Sequence, residues 1–231
     1  AVVYEYKIVV IGGRDKENRA LRSVEYFSSE TNTWKLAADM NIAREALTAV
    51  VLHNTMFAIG GFSIDATNLS DVEYWDATNR KWEFYPSWTL SHPRVSMVTV
   101  VVNEAAYTLG GTYFGPVSFV ERFSLALGTE VLASMPNPRF NFAAVAVEDT
   151  IFVIGGNSTT EVASTVDKYV TTTDTWMAEK RQTNIGRSGL TAEYFGNMLF
   201  IFGGTDYNSE VLDIVECIKI GTEATTVVEQ N

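Results

Sequence analysis

Five times in this chain an apolar run with strand character stops on two glycines: IVVIGG at 8–13, MFAIGG at 56–61, AYTLGG at 106–111, IFVIGG at 151–156 and LFIFGG at 199–204. No other feature constrains the fold as much, because whatever structure forms around one copy has to be built again around the next. Between first glycines the period is 48, 50, 45 and 48 residues. That spacing suits four short strands per unit and exceeds the period of most helical repeats.

The second copy lets the unit be followed strand by strand. EALTAVVL reads as a strand, HNT as a tight turn and MFAIGG as its antiparallel partner. A polar loop, FSIDATNLS, then leads to DVEYW, and DATNR separates that from KWEFY. Four strands, A to D, make one unit.

Other residues keep step with the glycines. Arg44, Arg94, Arg139 and Arg187 each stand sixteen residues before the first glycine of their unit, and the first unit would need its arginine upstream of Ala1. After the glycines an acid recurs two residues before a large side chain, as Glu25 with Phe27, Glu73 with Trp75, Glu121 with Phe123, Asp167 with Tyr169 and Glu216 with Ile218. Seven residues beyond, three units carry Trp34, Trp82 and Trp176, where the other two have Glu130 and Thr225.

Diglycine, VEYF or VEYW, and a tryptophan at fixed offset together resemble the Kelch repeat, and the resemblance covers the whole chain. The stretch from Val24 to Gly61 looks most like the Kelch half of BTB-Kelch proteins. The resemblance implies an all-β propeller of five four-stranded blades, near 1–43, 44–93, 94–138, 139–186 and 187–231, in one domain over 1–231. Strand A would be innermost and strand D outermost. Such propellers usually have six blades, so either five close alone or a sixth lies outside this chain. ATTVVEQ is expected to supply strand D of the last blade, and the tryptophans are expected to fill space against the next blade. Blades three and five, lacking them, are expected to be looser.

Composition sets what the chain can bind. Seventeen Lys and Arg against 28 Asp and Glu give a net charge of -11, which repels nucleic acid and anionic lipid. No apolar run approaches the roughly 18 residues of a membrane helix. A single cysteine, Cys217, excludes an internal disulfide and leans towards a reducing, cytoplasmic setting. AVVYEYK is not a signal peptide, and its strand pattern reads as the start of a piece cut from a longer chain.

Chemistry finds little support. His53 falls in an A–B turn and His92 in a D–A loop, on opposite faces, which argues against a shared metal site. No Ser-His-Asp arrangement or phosphate-binding glycine loop is present, so the expectation is a non-enzymatic chain without cofactor or metal. The repeated arginines and acids are read as ion pairs that serve each blade.

Function is expected where blades differ, in the B–C and D–A loops of one face. Asp15, Phe62, Tyr113, Phe114, Asp206 and Tyr207 lie in the B–C loops and Trp88 in a D–A loop, which sets aromatics among polar residues as in a protein-binding hot spot. In BTB-Kelch relatives, peptides lie across this face against side chains just after the diglycine and just after the strand A arginine. Here those positions include Arg14, Thr112, Asn157 and Thr205, with Glu45, Ser96, Asn141 and Ser188. Arg14 is the one basic residue among them, so an acidic peptide is disfavoured. The resemblance implies a protein-recognition module, a substrate receptor of a cullin ubiquitin ligase in one version and a binder or cross-linker of actin in the other. Actin is itself acidic, and charge argues mildly against the second.

Overall fold

Each unit begins with a β-hairpin. His53 and Asn54 have φ of 48° and 56°, and Glu5–Tyr6 and Asn103–Glu104 repeat the pattern. Two consecutive left-handed residues make a type I′ turn, whose twist matches that of the strands it joins.

The computed structural model describes residues 1–220, apart from the side chains of 178–181. Every regular element among them is a strand. The first sheet has the order β1 (Val2–Tyr4), β2 (Lys7–Ile11), β3 (Val24–Ser28), β4 (Thr33–Leu36). In the second, β5 (Arg44–Glu45) and β6 (Thr48–Leu52) both pair with β7 (Thr55–Ser63), followed by β8 (Asn68–Asp76) and β9 (Lys81–Phe84). The third contains β10 (Val98–Val102), β11 (Ala105–Leu109), β12 (Val120–Ser124) and β13 (Gly128–Val131). The fourth contains β14 (Ala143–Val147), β15 (Thr150–Ile154), β16 (Thr165–Val170) and β17 (Thr175–Gln182). The fifth contains β18 (Thr191–Phe195), β19 (Met198–Phe202) and β20 (Val215–Lys219), which holds Cys217. ATTVVEQ and Thr225 lie outside the described residues.

Strand A is shorter than the apolar run promised. Ala46 has φ 49°, which breaks EALTAVVL into β5 and β6, and Ser96, Asn141 and Gly189 take the same left-handed turn two residues after their arginines.

The diglycines join neighbouring blades. At Gly155, φ is +64° and a Cβ would lie 2.5 Å from the Arg187 carbonyl oxygen, so both backbone angle and space require glycine. The glycine that follows donates its N–H to that same carbonyl: Gly156 to Arg187 at 2.8 Å, Gly13 to Arg44 at 2.9 Å, Gly61 to Arg94 at 3.1 Å and Gly111 to Arg139 at 3.0 Å. Each blade's arginine therefore receives the preceding blade through its main chain.

The arginine side chains work within their own blades. Arg44 donates to the Gly60 carbonyl at 2.9 Å and to Glu73 at 2.7 Å, and Arg139 and Arg187 repeat this with Gly155 and Asp167, and with Gly203 and Glu216. Arg94 pairs with Glu121. Burial pushes the guanidinium of Arg94 below its ordinary pKa, while the Glu121 charge and hydrogen bond oppose the shift. The acids also accept N–H groups from the linker before strand A, from Asn41 to Glu73, Ser91 to Glu121 and Asn184 to Glu216 at 2.6 to 2.8 Å. Glu25, the fifth acid of the series, is exposed.

The chain divides into two compact units, Ala1–Tyr107 with Glu121–Val131, and Thr108–Val120 with the residues from Leu132 onward. In the first unit Trp82 packs with Tyr4, Val9, Ile11 and Val24. It thus faces the blade before it, where the sequence reading put the repeat tryptophans against the next one. Trp34, at the same position of the first blade, is 50% exposed and rests against Phe27. Trp88 also departs from expectation: it is 1% exposed, stacked on Phe123 at 4.2 Å and tilted against Phe57. Its polar loop turns inward because Phe57, Tyr85 and Phe123 supply an apolar seat. Trp88 is a core residue rather than a recognition residue. In the second unit the core is built from Ala143, Val145, Phe152, Ile154, Leu199, Ile201 and Ile218 with their neighbours.

Candidate functional site

The loop after each diglycine has a regular skeleton under its variable side chains. The first residue pairs through its backbone: Phe62 with Glu45, Asn157 with Phe140 and Val162, Thr205 with Ser188 and Val211, Arg14 with Ala20, and Thr112 with Pro116. The second residue holds the loop by its side chain in four blades. Asp15 accepts the N–H groups of Glu17 and Arg19, and Asp206 those of Asn208 and Glu210. Ser158 accepts those of Thr160 and Glu161, and Ser63 that of Thr67. These hydrogen bonds, first that of the Arg19 N–H, hold the Asp15 carboxyl below its ordinary pKa. Asp15 and Asp206 were expected to touch a partner, and both already have structural work in the loop.

The third blade has Tyr113 at this second position. Its ring lies 4.5 Å from that of Phe114, and its N–H donates to the Gly115 carbonyl at 2.9 Å. Phe114 is 95% exposed at φ 54°. A bulky residue in the left-handed region, projecting from a tight loop, is unusual.

In the first unit Arg14 and Glu45 meet. Two nitrogens on one guanidinium edge of Arg14 donate to the two Glu45 carboxylate oxygens, one at 2.6 Å, although 31 residues separate them. The one cation of the expected recognition set is thereby engaged by an anion of the same set. Ser96 donates its N–H to the Ala46 carbonyl at 2.8 Å and Phe62 is half-buried beside Glu45.

In the second unit the expected residues converge. Asn141, Asn157, Ser188, Thr205, Asp206 and Tyr207 all line one cavity of about 550 Å³ between the loops of the fourth and fifth blades. Ser188 and Thr205 face each other across 3.3 Å, and the Gly189 N–H donates to the Asn141 carbonyl at 2.8 Å. Tyr207 stands 76% exposed. Ser158, Glu161 and Ser209 also line the cavity, without having stood out in the sequence. Their signal was membership of the loops NSTTEVA and TDYNSEV, among the stretches where the blades differ most. Amides, hydroxyls and two carboxylates, with no Lys or Arg in the lining, make a polar surface rich in hydrogen-bonding groups.

Catalytic groups do not gather there. Among the described residues no three His, Cys, Asp or Glu side chains stand close enough to hold a metal ion. His53 lies in the turn between β6 and β7, and His92 meets the Ser91 hydroxyl at 3.1 Å in the linker after β9. No helix among the described residues is long and apolar enough to cross a membrane.

The Kelch motif model matches residues 1–41, 43–87 and 138–179, more than half of the chain. The chain belongs to the Kelch repeat family. Kelch repeat protein C2 of vaccinia virus (strain Western Reserve) is 28% identical over 211 residues, covering 87% of this chain and 38% of the viral protein. Kelch-like protein terF of Aspergillus terreus is 26% identical over 223 residues, 86% of this chain and 47% of its own length. Human Kelch-like protein 23 is 26% identical over 158 residues, 66% of this chain and 28% of its own. The Kelch chain therefore spans less than half the length of these relatives. The solved structure of YjhT superposes on all of it with a TM-score of 0.85 at 13% identity and is covered to 82%, a likeness of β-propeller fold alone.

Proposed function

We propose that this Kelch chain is a non-catalytic protein-recognition module that grips one partner with its B–C and D–A loops. The observation that carries this reading is the cavity of the second unit, where six residues chosen for their place in the repeat line a single polar hollow. Exposed Tyr207 in its lining and exposed Phe114 in the same unit, the latter against half-buried Tyr113, add aromatics of the kind that anchor protein interfaces. Delivery of that partner to a cullin ubiquitin ligase, in the cytoplasm, is the use that resemblance to BTB-Kelch proteins gives such a module.

The test is affinity capture with quantitative mass spectrometry, comparing the wild-type chain with Asn157→Arg and Tyr207→Ala. The control is His53→Ala, in an A–B turn. The expected result is loss of the same captured protein with both loop variants and its retention by the control. An unchanged partner set with all three chains folded would overturn the assignment of the face.

A further inference from the structure

A second cleft lies in the first unit, between the first and second blades. Its volume is about 620 Å³, within the range of small-molecule sites. Its walls are aromatic, from Tyr4, Tyr26, Trp75 and Trp82, over an apolar floor that includes Val9 and Met56. The charged residues at its rim are Lys7, Arg80 and Glu5. Lys7 sits over the Tyr26 ring at 5.2 Å, and Glu5 is hydrogen-bonded to Tyr4.

The same junction occurs again in the second unit, between the third and fourth blades, and there protein groups pair with one another across it. Trp176 occupies the place of Trp82, nine residues after the acid of its blade, and donates its indole N–H to the Ala133 carbonyl at 2.8 Å. Asp174, two residues before it, accepts the Ala133 N–H at 2.8 Å and the Tyr169 hydroxyl at 2.6 Å. One carboxylate and one carbonyl thus accept from the indole, the Ala133 N–H and the Tyr169 hydroxyl.

In the first unit the carboxylate is gone and a cation stands in its place. Arg80 stands where Asp174 stands, with the same left-handed backbone (φ 54° and 51°), and Trp75 replaces Tyr169. Trp82 is 2% exposed, and its indole N–H has no acceptor among the described residues. A buried orphan donor costs about 1 to 3 kcal/mol. Here it lies in the wall of a cleft whose rim has gained a cation.

We propose that this cleft binds a small carboxylate with a flat apolar body. The carboxylate sits against Arg80 and Lys7, restoring the anion that Asp174 provides in the other junction. The body lies against Tyr26, Trp75 and Trp82, where ring stacking and apolar burial hold it.

The test uses 2-naphthoate as probe and 2-naphthamide as its neutral analogue, with the chain labelled at its five indole nitrogens for NMR. Naphthoate is expected to shift the Trp82 and Trp75 signals saturably and to leave Trp34, Trp88 and Trp176 in place. Loss of the charge-assisted contact should make naphthamide about tenfold weaker. Arg80→Asp, and equally Arg80→Ala, should reduce naphthoate binding while leaving the dispersed indole spectrum of a folded chain. Absence of a saturable shift, equal affinity for the neutral analogue, or undiminished binding by folded Arg80 variants would each overturn the proposal.

Discussion

Glycine 155 and glycine 189 share a left-handed backbone, with φ of 64° and 65°, and differ in what surrounds them. A Cβ on Gly155 meets the Arg187 carbonyl at 2.5 Å, whereas one on Gly189 meets nothing within 4 Å. Gly189→Ala should therefore cost about 1 kcal/mol, the backbone penalty alone. Gly155→Ala adds a clash with main chain and should cost ~2 to 5 kcal/mol. Urea denaturation of the two variants checks the difference. Asp15 makes a prediction of another kind, because its folded pKa is depressed by the N–H groups it accepts. Its contribution to loop order is present above the ordinary carboxylate pKa and is lost as the pH falls through the depressed folded value. Amide signals of Glu17 and Arg19, followed by NMR through that acid range, should move with the Asp15 titration. Individual roles were readable from sequence when a residue recurs in register, as the glycines do. They were hidden when a contact is made once. Nothing in YPSWTLSHP announces that Trp88 has Phe123 beneath it, nor that Arg14 finds Glu45.

At the level of a blade, the acid and arginine act as one element with the linker that precedes strand A. Arg94→Met leaves the Glu121 carboxylate buried without its cation and should destabilise by about 3 to 5 kcal/mol. Adding Glu121→Leu removes the stranded charge, so the double variant should be more stable than Arg94→Met alone, as urea melts of the set would show. The residual loss comes from the Ser91 N–H that Glu121 also accepts at 2.7 Å. The strands themselves were readable from the glycine ruler, including the tight turn between β6 and β7, although β7 and β8 continue their ladder into FSIDATNLS, where the sequence suggests only a loop. The break at Ala46 was not, because apolar alternation continues across it and only the backbone angle reveals the turn. Nor was the direction of the repeat tryptophans, since alternation assigns a side chain to one face of a blade without saying which neighbour covers that face.

For the molecule as a whole, the five-fold repeat gave the fold, and the net charge of -11 narrowed the partners. Chelation should change nothing: excess EDTA is expected to leave the melting temperature unaltered, and a fall of several degrees would point to a structural metal. Which loops gather around one hollow could not be read, because it depends on the side-by-side placement of the fourth and fifth blades. The bond from the second glycine to the next arginine uses main-chain atoms at both ends, so it asks nothing of the sequence in the loops between. Genetic duplication of one blade would carry its own half of each joint with it, and the new copy would fit its neighbours at once. Lengthening such a chain is then an easy evolutionary step, and the loops are left free to diverge towards new partners afterwards.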